Sequence, residues 1–396
     1  MSLTDTPNAN RLHITLFGRR NSGKSSLINA LTGQDIALVS NTPGTTTDLV
    51  SKAMEIQGIG PCLFIDTPGF DDEGELGELR INRTLKAIEK TDIALLLCED
   101  TTFFHEKEML ALLKEKNIPV IPVLNKIDIR ENSDHLATYI EEQCKIHPLL
   151  ISAKEKIGIE LIRQAILEKL PSDFGQQNIT GKLVTENDLV LLVMPQDIQA
   201  PKGRLILPQV QTIRELLDKK CLVMTCTTDK FSATLQALAR PPKLIITDSQ
   251  VFKAIYEQKP AESELTSFSV LFAGYKGDIH YYVESAAVIE RLTESSRVLI
   301  AEACTHAPLS EDIGRVKLPR LLRKRIGENL QIDMVAGTDF PQDLTPYSLV
   351  IHCGACMFNR KYVLSRIERA REQHIPMTNY GVAIAFLNGI LDQIKY

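Results

Sequence analysis

The residues best suited to chemistry lie in one segment near the amino terminus, Gly18 to Ser25, in which four residues separate two glycines and Lys-Ser follows. In such a loop successive backbone N–H groups point at phosphate oxygens, and the following helix adds a favourable dipole. Lys24 would reach the outer phosphates, and Ser25 would offer its hydroxyl to Mg²⁺. A chance glycine-rich turn is the alternative, but the full match favours a nucleotide site.

The elements around this loop are those that the pattern requires. The apolar run Leu12 to Phe17 predicts a buried strand before the loop, and Ser25 to Leu31 predicts a helix after it. The loop would therefore connect a strand to the N-terminus of a helix, where phosphate groups bind.

A second segment, Asp66-Thr67-Pro68-Gly69, follows the predicted strand Leu63 to Ile65. A carboxylate at the tip of a strand can hold the hydration shell of Mg²⁺, and Gly69 can face the terminal phosphate. The order of this segment after the phosphate loop strengthens the prediction of a nucleoside triphosphate site.

Two further segments predict the base. Asn125-Lys126-Ile127-Asp128 follows the predicted strand Val120 to Leu124, and Ser152-Ala153-Lys154 follows Leu149 to Ile151. Asp128 can accept hydrogen bonds from the ring N–H and exocyclic N–H of guanine, an arrangement that adenine cannot satisfy. The predicted base is guanine.

Strands and helices alternate over roughly the first 160 residues, which indicates a parallel sheet covered on both faces, with its ligand at the carboxyl ends of the strands. Over about residues 11 to 170 the motifs resemble the small GTPases of the translation-factor-related class. The resemblance implies that Thr46, with Thr45 as the alternative, binds Mg²⁺ together with Ser25, and that Lys24, Thr46 and Asp66 are catalytic. The predicted nucleotide-binding residues are Gly18, Asn21, Ser22, Gly23, Lys24, Ser25, Ser26, Thr46, Asp66, Gly69, Asn125, Lys126, Asp128, Ser152 and Ala153.

Phe70 stands where Ras-like enzymes place the glutamine that orients water, so we expect slow hydrolysis by the isolated chain. Asn21 matches a K⁺ ligand in similar GTPases that use this ion in place of an arginine finger. The resemblance therefore implies stimulation by K⁺, with a plain polar loop residue as the equal alternative for Asn21.

The composition limits the class of protein. A chain of 396 residues is too long for one ordinary core, and a net charge of −5 gives no basic footprint for nucleic acid. No apolar run reaches membrane-spanning length, and residues 1–10 lack the pattern of a signal peptide. We expect a cytoplasmic protein without a membrane partner, and the composition does not exclude RNA but gives no support for a nucleic acid as a partner.

Turn-rich breaks divide the chain into an α/β GTP-binding domain, 1–172, and two smaller α/β domains, 180–262 and 263–396. The middle domain contains no convincing catalytic group of residues and suits self-association. In the last domain we predict strands at Ser269 to Phe272, Val298 to Ala301, Ile332 to Val335 and Leu349 to Ile351.

Three of the eight cysteines can form a metal site. Cys304-Thr305-His306 follows one predicted strand, and His352-Cys353-Gly354-Ala355-Cys356 follows another, so both groups can converge at one edge of the sheet. Three thiolates suit Zn²⁺ or an iron–sulfur cluster, and spacing alone does not separate the two. For these three cysteines, buried free thiols are the weaker alternative. We interpret the five scattered cysteines as buried free thiols.

The whole chain, through its cysteine pattern on this architecture, resembles the [FeFe]-hydrogenase maturation GTPase family. The resemblance implies a [4Fe–4S] cluster on Cys304, Cys353 and Cys356, and a middle domain that forms a homodimer or higher homo-oligomer. It implies a GTPase, using GTP, Mg²⁺ and K⁺, that is a scaffold and carrier for the di-iron precursor of the hydrogenase active site. The partners would be two radical-SAM maturases and the apo-hydrogenase. The fourth iron position would be open or weakly held by one of His306, His352 or a carboxylate such as Glu311.

The alternative function is an RNA-modification or ribosome-assembly GTPase with a domain stabilised by zinc. The two hypotheses differ in the metal that they require, because the first needs iron and sulfide and the second only Zn²⁺.

Overall fold

The computed structural model describes residues 6–33, 50–69, 83–99, 103–171, 174–175, 178–195, 205–303 and 312–396. The chain divides into two compact units, Met1–Phe174 and Gly175–Tyr396. No helix in these described ranges is long and apolar enough to cross a membrane.

The described part of the first unit is built on one six-stranded sheet in the order β2-β3-β1-β4-β5-β6. All pairs are parallel except β2 with β3. The central strands are buried along their length because helices cover both faces, as the sequence predicted. The strands are β1 (Leu12–Gly18), β2 (Val50–Ile56), β3 (Gly60–Asp66), β4 (Ile93–Cys98), β5 (Val120–Leu124) and β6 (Leu149–Leu150).

Four bounded helices accompany this sheet, and residues 83–88 are also helical. They are α1 (Lys24–Thr32), α2 (Phe104–Glu115), α3 (Ser133–Cys144) and α4 (Ile159–Glu168). Two buried clusters lie on the two faces of the sheet, one containing Leu27 and Ile162 and the other Leu110 and Ile140. Packing on both faces leaves the carboxyl ends of the parallel strands as the edge for a ligand.

Two parallel four-stranded sheets form the described part of the second unit, in the orders β10-β9-β7-β8 and β12-β11-β13-β14. The strands of the first are β7 (Leu189–Val193), β8 (Leu222–Cys226), β9 (Leu244–Thr247) and β10 (Glu264–Ser267). The strands of the second are β11 (Arg297–Glu302), β12 (Gln331–Ala336), β13 (Leu349–His352) and β14 (Met377–Asn379).

The helices of the second unit are α5 (Leu207–Asp218), α6 (Phe231–Ala237), α7 (Phe252–Tyr256), α8 (Phe268–Lys276), α9 (Ile279–Ala286), α10 (Leu318–Ile326), α11 (Arg360–Glu372) and α12 (Tyr380–Leu387). One buried cluster contains residues of both sheets, among them Ile245 and Leu299. The two sheets therefore share a core.

The predicted strand Ser269 to Phe272 is wrong, because these residues lie in α8. The Ser267 side chain caps this helix by accepting from the Val270 N–H. The helix is apolar on two sides, with Val270 in the core shared by the sheets and Leu271 in a second cluster. A helix buried on two sides lacks the periodicity that separates it from a strand. Strand β10 lies beyond residue 262 and pairs with β9, so the middle sheet extends past the predicted boundary.

Candidate nucleotide and metal sites

The phosphate loop connects β1 to α1, as predicted, and its glycines fill tight positions. Gly23 has φ +91°, and a Cβ there would lie 2.2 Å from Asn125 Nδ2. A Cβ on Gly18 would lie 2.7 Å from Ser22 Oγ and 3.0 Å from the Leu97 carbonyl oxygen. Because neither position has room for a side chain, the loop backbone can approach a phosphate closely.

Lys24 holds its charge against this loop. Its Nζ donates to the carbonyls of Gly18 at 2.9 Å and Arg19 at 2.7 Å, and the residue is 8% exposed. The ammonium is thus fixed beside the N-terminus of α1, where a β- or γ-phosphate would sit.

Ser25 and Asp66 form the predicted magnesium end of the site. Ser25 Oγ donates to Asp66 Oδ2 at 2.6 Å, while Oδ1 is buried and has no hydrogen-bond partner among the described residues. Burial raises the pKa of Asp66, and the Ser25 hydrogen bond and the Lys24 charge oppose that rise. A hydroxyl beside a carboxylate with one unused oxygen is a donor set that fits hydrated Mg²⁺.

Asn125 links the phosphate loop to the predicted base segment. Its Nδ2 donates to the Ser22 carbonyl at 3.0 Å, and its Oδ1 accepts from the Ala153 N–H at 3.0 Å. Asp128 is exposed, and the Ser152 hydroxyl lowers the pKa of its carboxylate. The carboxylate is therefore ionised and accessible to the N–H groups of a guanine.

An ion pair that was not predicted lies against the phosphate loop. Arg19 Nε lies 2.9 Å from Glu106 Oε1, and Arg19 NH2 donates to Glu106 Oε2 at 3.0 Å. Glu106 belongs to α2 and is 1% exposed. This ion pair and its hydrogen bond fasten the loop to a helix 87 residues away in sequence, a distance that no local motif reports.

Some predicted nucleotide ligands are not tested by these contacts. Thr45, Thr46 and Phe70 lie outside the described residues. Asn21 is exposed and has φ +62°, a left-handed conformation that asparagine tolerates better than most residues. The residues Ser26, Gly69 and Lys126 are described, and Lys126 Nζ lies 3.1 Å from Glu99 Oε1.

The second site begins at the carboxyl end of β13. Cys353 follows this strand, its N–H donates to the Ala301 carbonyl at 2.9 Å, and its Sγ accepts from the N–H groups of Ala303 at 3.0 Å and Ala355 at 3.4 Å. Burial raises the pKa of Cys353 to about 11, although these two N–H groups oppose the rise. Metal binding would therefore displace a proton from this thiol.

Cys304, His306 and Glu311 lie outside the described residues, and Cys356 is described and partly exposed. Within the described residues no three His, Cys, Asp or Glu side chains are grouped as metal ligands would be. Of the five scattered cysteines, Cys62, Cys98, Cys144 and Cys221 are buried, and Cys226 is partly buried.

His352 is fully buried and both of its ring nitrogens are engaged. Nδ1 lies 2.8 Å from the Cys353 carbonyl and therefore donates, while Nε2 accepts from Arg366 NH1 at 2.9 Å. Burial, together with the Arg366 charge, lowers the pKa of His352 to about 3. In this arrangement both ring nitrogens of His352 are engaged, and neither is left to bind iron.

Two buried cations near the thiols, Lys276 and Arg366, were not predicted either; they are 3% and 1% exposed. Lys276 ends α8, part of which was predicted as a strand, and Arg366 lies within α11, so no sequence signal distinguished the two cations.

The six-stranded sheet, the glycine-constrained loop and the Ser25–Asp66 pair define a P-loop GTPase domain that binds GTP and Mg²⁺, followed by further α/β structure. A family model described as a 50S ribosome-binding GTPase matches residues 13–126. The dimerization-domain model of hydrogen maturase F matches 179–277, and its tetramerization-domain model matches 280–395. The chain belongs to the hydrogen maturase F (HydF) family of hydrogenase-maturation GTPases.

Curated relatives resemble only part of the chain. The tRNA modification GTPase MnmE of Dechloromonas aromatica is 39% identical over 39% of this chain and 34% of its own length. The MnmE of Nitrosomonas europaea is 37% identical over 43% of this chain and 37% of its own length. The chain thus spans about a third of the length of these relatives.

Two solved structures illustrate the structural matches. A variant of Aquifex aeolicus Era bound to GDP and AlF4⁻ is 18% identical, with a TM-score of 0.35 over 57% of this chain and 98% of its own. The G domain of the T. maritima FeoB iron transporter is 24% identical, with a TM-score of 0.32 over 40% of this chain and 98% of its own.

Proposed function

We propose that this protein hydrolyses GTP, binds a [4Fe–4S] cluster through Cys304, Cys353 and Cys356, and carries the di-iron precursor of the [FeFe]-hydrogenase active site. The family membership supports the maturation role. The three cysteines are the ligands that the resemblance implies.

The observation that carries the cluster proposal is the contact between Ala303 and Cys353. Ala303 N–H donates to Cys353 Sγ at 3.0 Å, and Cys304 is the next residue in the chain. Strands β11 and β13 pair side by side, and Cys304 follows the first in sequence as Cys353 follows the second. Cys356 then lies three residues beyond, in a spacing common to thiolate-ligated clusters.

The surroundings fit a cluster. Backbone N–H groups donate to Cys353 Sγ, as they do to the sulfurs of iron–sulfur sites, and Gly354 has open space around its Cα. When bound, the cluster would supply a redox-active iron centre with one position for a weak or exchangeable ligand. Residues 180–262, together with strand β10, would serve self-association, and the rest of 263–396 would hold the cluster.

In the first unit we propose that Lys24 neutralises charge on the outer phosphates, while Ser25, Asp66 and Thr46 hold Mg²⁺. Asn21 would bind a K⁺ ion that replaces an arginine finger, since Phe70 cannot orient water. GTP turnover would then regulate the exchange of partners, which are radical-SAM maturases and the apo-hydrogenase.

We propose a second copy of the chain as the occupant of the β8 edge. This strand lies at the edge of its sheet, and its Leu222 and Met224 are 51% and 39% exposed. Unpaired N–H and C=O groups on an apolar edge are a template for pairing with another strand. Two copies related by a two-fold axis would pair β8 with β8 antiparallel.

One experiment tests the carrier function. The wild type, Lys24→Ala and a Cys304/Cys353/Cys356→Ala triple variant are reconstituted anaerobically and assayed for iron, GTP turnover and activation of an apo-hydrogenase. We expect Lys24→Ala to keep its iron and lose turnover, and the triple variant to lose iron and activation while turning over GTP near the parent rate. Full activation by the triple variant would refute the placement of the carrier site.

A further inference from the structure

Lys276 is the last residue of α8, and its ammonium binds the loop that contains Cys356. Its Nζ donates to the carbonyls of Ala355 at 3.1 Å, Cys356 at 3.4 Å and Phe358 at 2.6 Å. Three carbonyls around one ammonium turn the loop's acceptors towards the lysine, while the Ala355 N–H points at Cys353 Sγ.

Arg366 of α11 is also buried, and it contacts His352, the residue before Cys353. Its NH2 donates to the Gly337 carbonyl at 2.6 Å, its NH1 donates to His352 Nε2, and its Nε is buried without a hydrogen-bond partner in the described structure. The guanidinium also lies 4.6–4.7 Å from the ring centroids of Phe340, Phe358 and Tyr362. Aromatic faces favour the cation but do not neutralise it.

No carboxylate within the described residues forms an ion pair with Lys276 or Arg366. Buried charges in proteins are normally paired or bound to an ion, because removing a charge from water is expensive. Burial lowers the pKa of Lys276 to about 8, and negative charge on Cys356 and Cys353 opposes that fall. Burial raises the pKa of Cys353, and the N–H groups of Ala355 and Ala303 and the Arg366 charge oppose that rise. Once deprotonated, these two thiols would therefore supply the negative charge that the cations lack.

We infer that Lys276 and Arg366 form a cationic pair whose counter-charge is the anionic thiolate-ligated centre on Cys353 and Cys356, and that they favour its more reduced state. The inference rests on the proposed cluster site and adds positioning residues to it. Reduction adds one negative charge beside two fixed, buried positive charges. The pair should thus raise the reduction potential and stabilise the bound centre.

The test uses the full chain after anaerobic reconstitution with iron and sulfide. Lys276→Gln keeps N–H donors for the loop carbonyls but removes the charge, whereas Lys276→Arg keeps the charge. Lys259→Gln is the matched control, since Lys259 Nζ also donates to two loop carbonyls, those of Pro260 and Ser263, in the same unit. Iron content and the midpoint potential from redox titration followed by electron paramagnetic resonance are the readouts.

We expect Lys276→Gln to shift the one-electron reduction equilibrium about tenfold towards the oxidised form, which is about 59 mV. Lys276→Arg and Lys259→Gln should stay near the wild-type potential. Loss of iron from folded Lys276→Gln, with iron retained in Lys276→Arg, would also support the inference. If Lys276→Gln does not fold, as judged by circular dichroism, Arg366→Gln against Arg366→Lys makes the same comparison of charge.

An unchanged potential in an iron-replete Lys276→Gln would overturn the inference and leave the cluster site standing. Equal loss of iron in Lys276→Gln and Lys276→Arg would overturn it too, since the loop geometry and not the charge would then matter. A wild-type protein that takes up no iron would instead refute the proposed function, and the inference with it.

Discussion

Ser25 and Asp66 are joined by a hydrogen bond of 2.6 Å, from the hydroxyl after the phosphate-loop lysine to the carboxylate at the end of β3. The two residues are 41 positions apart in sequence. Their contact fixes two of the oxygen atoms around which a hydrated Mg²⁺ ion can assemble.

Asp66→Asn should therefore weaken the magnesium-dependent part of GTP binding and slow turnover by about tenfold or more, since one anionic acceptor is lost. Titration of a fluorescent GTP analogue with and without Mg²⁺, together with phosphate release, measures both effects. Asp134→Asn on the exposed face of α3 is the control and should change neither. Full magnesium dependence in Asp66→Asn would contradict the site.

Asp128→Asn should reduce the preference for guanine by about tenfold to a hundredfold, because a charge-assisted bidentate acceptor is removed. The carboxylate is exposed, so the fold should not change. Competition of GTP, ITP and ATP for the fluorescent analogue measures the preference. An unaltered order of affinities would show that the base is read elsewhere.

K⁺ should stimulate GTP turnover relative to Na⁺ at matched ionic strength, and Asn21→Gly should abolish the difference. Glycine is the sharper substitution, because it keeps the left-handed conformation at φ +62° and removes only the side-chain ligand. Phosphate release in chloride salts of the two ions measures the response. Equal wild-type rates in the two salts would refute the K⁺ proposal. Asn21 would then serve only as a residue that tolerates the left-handed backbone conformation.

His352 should make the apo-protein less stable in mild acid. Its pKa is about 3 in the folded state and near 6.5 when unfolded, so between these values the unfolded chain binds the extra proton and stability falls as pH falls. From pH 7 to pH 5 this group should reduce the free energy of unfolding by about 2 kcal/mol.

Urea unfolding of the apo-protein at the two pH values measures that loss, which should be about 2 kcal/mol smaller in His352→Gln. The exposed His374→Gln is the control and should behave like the wild type. The same acid sensitivity in all three proteins would contradict the buried neutral imidazole.

Met224→Lys on the edge strand β8 should shift the protein towards a smaller assembly, because the two paired strands would bring like charges close together. Size-exclusion chromatography with light scattering measures the mass. Leu161→Lys on α4, with Leu161 47% exposed, is the matched control and should keep the wild-type mass. An unchanged assembly in Met224→Lys would move the interface away from β8.

Local chemistry explains what could be predicted from sequence. The phosphate loop is built from the contiguous residues Gly18 to Ser25, so residue types and spacing were enough to predict it. The order of the apolar strand segments along the chain was enough to predict the parallel sheet. The Arg19–Glu106 pair and the Lys276 contacts join residues about 80 or more positions apart, and only the folded chain brings them together. Helix α8 was missed because apolar neighbours on two sides erase its periodicity.

The carboxyl-terminal chain returns to the middle sheet, where Lys395 N–H donates to the Leu265 carbonyl and Thr266 Oγ1 donates to the Lys395 carbonyl. Cutting the chain between residues 262 and 263 would remove strand β10 from the first piece. The second piece would carry β10 without the sheet to which this strand belongs. We expect the two pieces to aggregate or to need co-expression. Metal binding at the thiols and assembly through β8 would then both change the stability of one cooperatively folding unit.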